Sequence, residues 1–90
     1  MVSKITTILN PSGLHARPAS EFVALAKQHA SKITIRSTAG AEDAVNAKSV
    51  VLLLTLGLGP GTQVEIAASG PDEEQAVEGL IALIDSGFGE

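Results

Sequence analysis

A chain of 90 residues that contains no cysteine has to hold itself together by packing alone. No disulfide can staple it, and thiolate chemistry and cysteine-based zinc sites are closed to it. Only two aromatics are present, Phe22 and Phe88, so the core has to be built from Val, Ile, Leu and Ala. These suffice: 44% of residues are hydrophobic and the mean hydropathy is +0.29, too apolar for a disordered tail. The length suits one domain, residues 1–90, with no internal repeat and no linker.

Charge is uneven along the chain. The net charge is −4, which argues against a nucleic-acid partner. Residues 1–36 carry five cations (Lys4, Arg17, Lys27, Lys32, Arg36) against Glu21 alone, a balance of +4. Residues 37–90 carry Lys48 against nine acids, a balance of −8. Such asymmetry suits a surface that docks an acidic partner, or it is scattered surface charge. The opening Met1-Val2-Ser3-Lys4 lacks the basic stretch and apolar run of a signal peptide. The most apolar run, Val50 to Leu58, is broken by Thr55 and Gly57 and is far short of the ~20 residues of a membrane span. The expectation is a soluble, cytoplasmic protein without membrane insertion.

Local patterns place the elements. Val2 to Leu9 reads as a strand, closed by the turn residues Asn10-Pro11-Ser12-Gly13. Ala16 to Gln28 reads as a helix, with Ala19, Phe22, Val23 and Ala26 on one face and Pro18 in its first turn. Lys27 and His29 stand near its end, where positive charge suits the dipole. Lys32 to Ser37 alternates, with Ile33 and Ile35 inward, and is a half-buried strand. Glu42 to Asn46 is a candidate short strand returning as a hairpin. Ser49 to Leu56 fits a strand or a short helix equally. Gln63 to Ser69 alternates as a strand through Val64, Ile66 and Ala68. Gly70-Pro71-Asp72-Glu73-Glu74 opens a last helix, whose apolar stripe is Ala76, Val77, Leu80, Ile81 and Ile84 and whose stop is Gly87. The order β-α-β-β-(α)-β-α implies helices over one face of a small antiparallel sheet.

Chemistry concentrates in Gly13-Leu14-His15-Ala16-Arg17-Pro18-Ala19-Ser20. A turn ends at Gly13 and a helix begins after His15, so the first free N–H groups of the helix face the histidine. That end of a helix attracts anions. Arg17 adds a guanidinium that matches phosphate oxygens, and His15 an imidazole able to attack phosphorus and carry the phosphoryl group covalently. By itself, a histidine at a helix start is more often a capping or surface residue. Ser12 and Ser20 are commonplace in turns and first helical turns. Without a second nearby histidine or an acid pair, no metal site is expected, and no cofactor is implied.

The same residues carry a family resemblance. Gly13-Leu14-His15-Ala16-Arg17-Pro18-Ala19 resembles the active-site signature of the HPr family, the histidine-containing phosphocarriers of the bacterial phosphotransferase system. Asn46-Ala47-Lys48-Ser49-Val50-Val51 is similar to that family's serine-site segment. Ala67-Ala68-Ser69-Gly70-Pro71-Asp72-Glu73-Glu74 is similar to its last strand-to-helix junction. The resemblance spans essentially the whole chain. It implies an α+β open-faced β-sandwich, a four-stranded antiparallel sheet with three helices on one face, and so makes Ser49–Leu56 a short helix. It implies that His15 is phosphorylated through Nδ1 by enzyme I, charged by phosphoenolpyruvate, and that an enzyme IIA component accepts the group. Arg17 would steady the phosphoryl, and the N–H groups of Ala16 and Arg17 would complete the pocket. Such a carrier is no enzyme, since it turns nothing over alone, and is expected as a monomer. Ser49 is by residue type a helix N-cap, and by position resembles the serine that HPr kinase/phosphorylase modifies in many Gram-positive members. Val50, Val51, Leu54 and Leu56, with Lys27 and Lys48, are candidates for partner contact, whereas Leu53 suits the core.

Two departures bear on the branch of the family. Ser49-Val50-Val51-Leu52 stands where sugar-branch members usually read Ser-Ile-Met-Gly, and Ile81-Ala82-Leu83-Ile84-Asp85-Ser86-Gly87-Phe88 looks more like the nitrogen-related paralogue. Lys48 before Ser49 resembles the sugar branch. A regulatory binding module, read through Ser49 or His15 without onward transfer, is the alternative of a different class. An RNA-binding domain of the same element order is excluded, because no predicted strand carries an aromatic for base stacking. An autonomous enzyme lacks a second acid or base.

Overall fold

The computed structural model describes residues 1–40 and 43–90. Its elements are β1 (Val2–Thr7), α1 (Ala16–Lys27), β2 (Lys32–Ser37), β3 (Val45–Asn46), α2 (Val50–Thr55), β4 (Gln63–Ser69) and α3 (Glu73–Asp85), followed by a single 3₁₀ turn, Gly87–Gly89. The four strands form one antiparallel sheet in the order β1-β4-β2-β3. Expected and observed orders agree. The hairpin return is shorter than the sequence suggests: among the described residues only Val45 and Asn46 pair, with Ile35 and Thr34, and Glu42 lies outside the described residues.

Strand register explains which residues are covered. Val64, Ile66 and Ala68 of β4 are buried, and Ile33 and Ile35 of β2 share their side of the sheet. On β1 it is Val2, Lys4 and Thr6 that stand opposite Ala68, Ile66 and Val64 and so take the covered side. Ile5 falls on the open side, 54% exposed. β1 also stops at Thr7, two residues short of the expected Leu9. Ile8 is buried in the loop beyond, and its N–H and carbonyl pair with Thr62 and Gly61.

Helix α3 lies across β1, β4 and β2, and α1 packs against α3 and α2. The faces that meet are those set by helical spacing: Ala19, Phe22, Val23 and Ala26 of α1, and Ala76, Val77, Leu80 and Ile84 of α3. Ile81 is only half-buried. The Ser49–Leu56 stretch resolves as a helix over Val50–Thr55, with Ser49 as its N-cap: the Ser49 hydroxyl accepts from the Leu52 N–H at 3.2 Å. Leu53 is its one fully buried side chain. Pro71 lies just before α3 and not inside it, because Asp72 is the N-cap.

Candidate functional site

The loop carrying His15 is fixed on both sides. Asn10, almost fully buried, donates from Nδ2 to the Gly13 carbonyl at 2.9 Å, while the Gly13 N–H donates to the Asn10 carbonyl at 3.1 Å. The Leu14 side chain is buried and its N–H donates to the Leu58 carbonyl at 2.8 Å. At Gly13 the backbone passes so close to the Leu56–Thr62 loop that an added Cβ would stand 2.6 Å from the Leu58 oxygen, and φ is +66°. Glycine is required there by space as well as by conformation. The loop is therefore a rigid ledge from which His15 projects into solvent.

His15 is the N-cap of α1, extended at φ −129°, ψ 161°, and its side chain caps nothing. A capping role for the imidazole is thus ruled out by the geometry, and the ring is left to the solvent side. The next residue, Ala16, takes φ +50°, a left-handed conformation that costs an L residue about 1–2 kcal/mol. Strain of this kind persists where surroundings enforce it and clusters at functional sites. It turns the chain sharply between His15 and the helix, so that the open N–H end of α1 begins beside the imidazole. Pro18, buried, contributes no N–H, leaving those of Ala16 and Arg17 as the first donors.

Arg17 is 76% exposed and its Nε lies 3.2 Å from Glu21 Oε1, one helical turn on. An exposed pair of this type is worth only a few tenths of a kcal/mol. The guanidinium is therefore held only weakly by this contact. Glu90 also reaches this corner. Its Oε1 accepts from the Ser12 N–H at 3.1 Å and from Asn10 Nδ2 at 3.3 Å. The Ser12 hydrogen bond, with the nearby Arg17 charge adding to it, holds the Glu90 carboxyl below its ordinary pKa. Nothing in the sequence singled out Glu90, because its contact with Ser12 spans 78 positions of the chain.

The other expected contact residues divide. Val51 is 73% exposed, and Leu52 and Leu54 are exposed beside it. Val50 and Leu56 are half-buried and pack on the core, so they offer less to a partner than the sequence suggests. Leu52 takes their place in the exposed set. Lys27 is exposed. Lys48 is not a free cation: Nζ donates to the His29 carbonyl at 2.7 Å. His29, read from sequence as a charge at a helix end, has a specific partner, its Nδ1 lying 2.9 Å from Asp72 Oδ2. Among the described residues no helix is long and apolar enough to cross a membrane.

An exposed histidine on a pinned turn, at a helix start with a neighbouring arginine, is the arrangement of a protein that receives and passes on an anionic group. The comparisons with known proteins give that class its family. The family model described as "PTS HPr component phosphorylation site" matches residues 2–86. The phosphocarrier protein HPr of Haemophilus influenzae is 50% identical over 84 residues, covering 93% of this chain and 95% of its own. The phosphocarrier protein NPr of Escherichia coli is 39% identical over 89 residues, covering 99% and 97%. A crystal structure of HPr from Thermoanaerobacter tengcongensis superposes with a TM-score of 0.93 at 41% identity, covering 100% of this chain and 98% of that one. The chain belongs to the HPr family of phosphocarriers of the phosphotransferase system. It has that family's open-faced α+β fold, and its general role is that of a phosphocarrier.

Proposed function

We propose that the chain, as one HPr domain over residues 1–90, takes a phosphoryl group from enzyme I onto His15 Nδ1 and passes it to an enzyme IIA component, in support of sugar uptake. The observation that carries this reading is the geometry at His15: an exposed, uncapped imidazole next to the strained Ala16 and the open N-terminus of α1. The transfer needs positioning and charge neutralisation more than covalent assistance. The pinned loop supplies the first, and Arg17 with the Ala16 and Arg17 N–H groups supplies the second. The relative named multiphosphoryl transfer protein, from Vibrio cholerae, matches 92% of this chain with only 21% of its own length, at 41% identity, which fits an HPr unit that works alongside other transfer domains.

The docking surface proposed for both partners is the exposed apolar group Val51, Leu52 and Leu54 on α2, together with the exposed cations Arg17 and Lys27 of α1, the helix that packs against α2. Apolar anchors with a basic rim suit an acidic partner and rapid exchange. Ser49 sits at the edge of this surface. A phosphate on its hydroxyl would bring about −1.5 to −2 charges, tolerable at a helix start but repelled by an acidic partner; HPr kinase/phosphorylase is the enzyme type that would install it.

A nitrogen-branch role is the second reading. It is favoured by the Ile81–Phe88 segment and by the NPr relative's match over nearly the full chain. Intact mass after incubation with phosphoenolpyruvate, Mg²⁺ and purified enzyme I of each branch tests both. One acid-labile phosphoryl gain, absent in His15→Ala, is the expected result, and the enzyme I that delivers it assigns the branch. No gain with either enzyme I removes the carrier reading.

A further inference from the structure

The large apolar side chains left exposed among the described residues fall into two groups. Val51, Leu52 and Leu54 belong to α2. Met1, Ile5 and Leu9, 85%, 54% and 62% exposed, belong to β1 and its two flanks. Their even spacing puts all three on one side of an extended chain, the open side of the sheet. β1 is an edge, since β4 alone pairs with it. The hydrogen bonds around its end show which backbone groups that edge leaves over. Ile8 donates its N–H to the Thr62 carbonyl at 2.9 Å and accepts from the Gly61 N–H at 2.7 Å, so its polar groups point toward the β4 side. Gln63, opposite Thr7, gives its carbonyl instead to the Thr38 N–H at 3.0 Å. Direction alternates along an antiparallel strand. Lys4 and Thr6 therefore turn their N–H and carbonyl groups to β4, while Ser3, Ile5 and Thr7 turn theirs outward. Such a row is a template for another strand, and natural edges are normally short, bulged or heavily charged. β1 runs six residues and carries one charged side chain, Lys4.

We propose that β1 pairs edge to edge with β1 of a second copy of this chain, antiparallel about a two-fold axis at Ile5, joining the two sheets into one. The edge is complementary to itself, as a two-fold contact requires. With Ile5 opposite Ile5 of the second copy, Ser3 stands opposite Thr7 and Met1 opposite Leu9. The outward N–H and carbonyl groups of Ser3, Ile5 and Thr7 then satisfy one another, and the apolar side chains form one row across the open face. The other face of the strand carries charge. Lys4 falls opposite Thr6 of the second copy, in the closer, non-hydrogen-bonded kind of pair. Thr6 donates from Oγ1 to Asp85 Oδ1 at 2.6 Å, so Lys4 arrives beside the Asp85 of the second copy, and the axis makes this contact twice. Among the described residues neither Lys4 nor Asp85 has an ion-pair partner in its own chain. Moving the axis to Lys4 would set two like charges face to face and separate the apolar residues, so the side chains select the register. The contact is one strand wide, far below the ~1,200 Å² of a stable interface. The dimer is accordingly weak, forming at about 0.1–1 mM. It does not rest on the reading of His15.

Sedimentation equilibrium of the full chain from about 20 µM to about 2 mM brackets that range. The mean mass is expected to rise from 9.2 kDa toward twice that value. Amide exchange at high concentration should slow at Ser3, Ile5 and Thr7 but not at Lys4 or Thr6, which β4 already protects. Ile5→Lys sets like charges at the axis and is expected to weaken association at least about tenfold. Its unfolding midpoint should match the wild type, because the position is exposed. Lys4→Asp should weaken association as well, and adding Asp85→Lys should restore it, a recovery that a damaged fold would not show. A chain that keeps monomer mass at the highest concentration, association unchanged in Ile5→Lys, or no recovery in the double variant overturns the proposal. So does a dimer that persists for hours after dilution, the mark of strands exchanged between copies and not of edges paired.

Discussion

A single carboxylate, that of Asp72, ties two distant parts of the chain together. Its oxygens accept from the N–H groups of Ala30 and Ser31 and the Ser31 hydroxyl, and it lies 2.9 Å from His29 Nδ1. The turn after α1 is thereby tied to the start of α3. Asp72 makes no side-chain cap of its own helix, although its position and type advertise one. The Ser31 hydroxyl, and after it His29 and the backbone N–H groups, hold its carboxyl far below the usual carboxylate range. A depressed folded-state pKa contributes stability that is fully present above the unfolded value, about 3.9, and is lost as pH falls below it. Asp72→Asn should therefore be less stable than wild type at pH 7, and the gap should narrow below about pH 4. Denaturant unfolding at a series of pH values reads this; a gap that is the same at pH 7 and pH 3 contradicts it. Nothing in the sequence linked Asp72 to His29, which lie 43 positions apart. Residue types near a helix start name possible hydrogen bonds, but a carboxylate has few lone pairs, and the fold decides who receives them. At His15, by contrast, the relevant neighbours are adjacent in the chain, and the turn running into a helix at the candidate site was legible from the motif.

At the scale of elements, the strands and the two long helices follow from periodicity, because a face that repeats at the right spacing has to be buried. The short elements do not. Six residues of α2, Val-Val-Leu-Leu-Leu-Thr, are apolar nearly throughout, so the pattern marks neither a strand nor one helical face. The helix forms because Ser49 caps it and Leu53, with the half-buried Val50, anchors it in the core. Its remaining apolar side chains are left facing out, which is unusual unless something covers them. Leu52→Asp should leave stability within about 0.5 kcal/mol of wild type, the range for exposed positions, while weakening binding to enzyme I by about tenfold or more. Calorimetric titration beside thermal unfolding separates the two effects. A loss of stability without loss of binding would return α2 to a purely structural role. β1 shows the opposite failure of pattern. Its most apolar residue, Ile5, faces open solvent, while Lys4 and Thr6 take the covered side. Edge position tolerates this, since only one neighbouring strand fixes the register and long polar side chains can reach around the rim.

The whole molecule is one largely aliphatic core that includes two rings, Phe22 in α1 and Phe88 beyond α3. Phe88 closes the core and places Glu90, so its loss should act at two distances. Phe88→Ala should cost about 3 kcal/mol or more, as large buried side chains do, and should also release the Ser12 N–H, seen as faster amide exchange at Ser12. A stability loss with unchanged Ser12 protection would show that the Glu90 contact does not depend on the anchor. What the sequence determined by itself is the class of fold, the element order and the local form of the candidate site loop, because each depends on residues close together in the chain: an alternating strand, a helical stripe, a turn running into a helix. The tertiary structure alone decided which side of β1 is covered, that α2 leaves Val51, Leu52 and Leu54 exposed, that Lys48 and Asp72 serve as internal ties, and that Glu90 comes to rest 78 positions back along the chain, at Ser12. Those outcomes depend on contacts between distant segments, and a local pattern carries no information about which of several suitable donors, acceptors or apolar surfaces the folded chain will bring within reach.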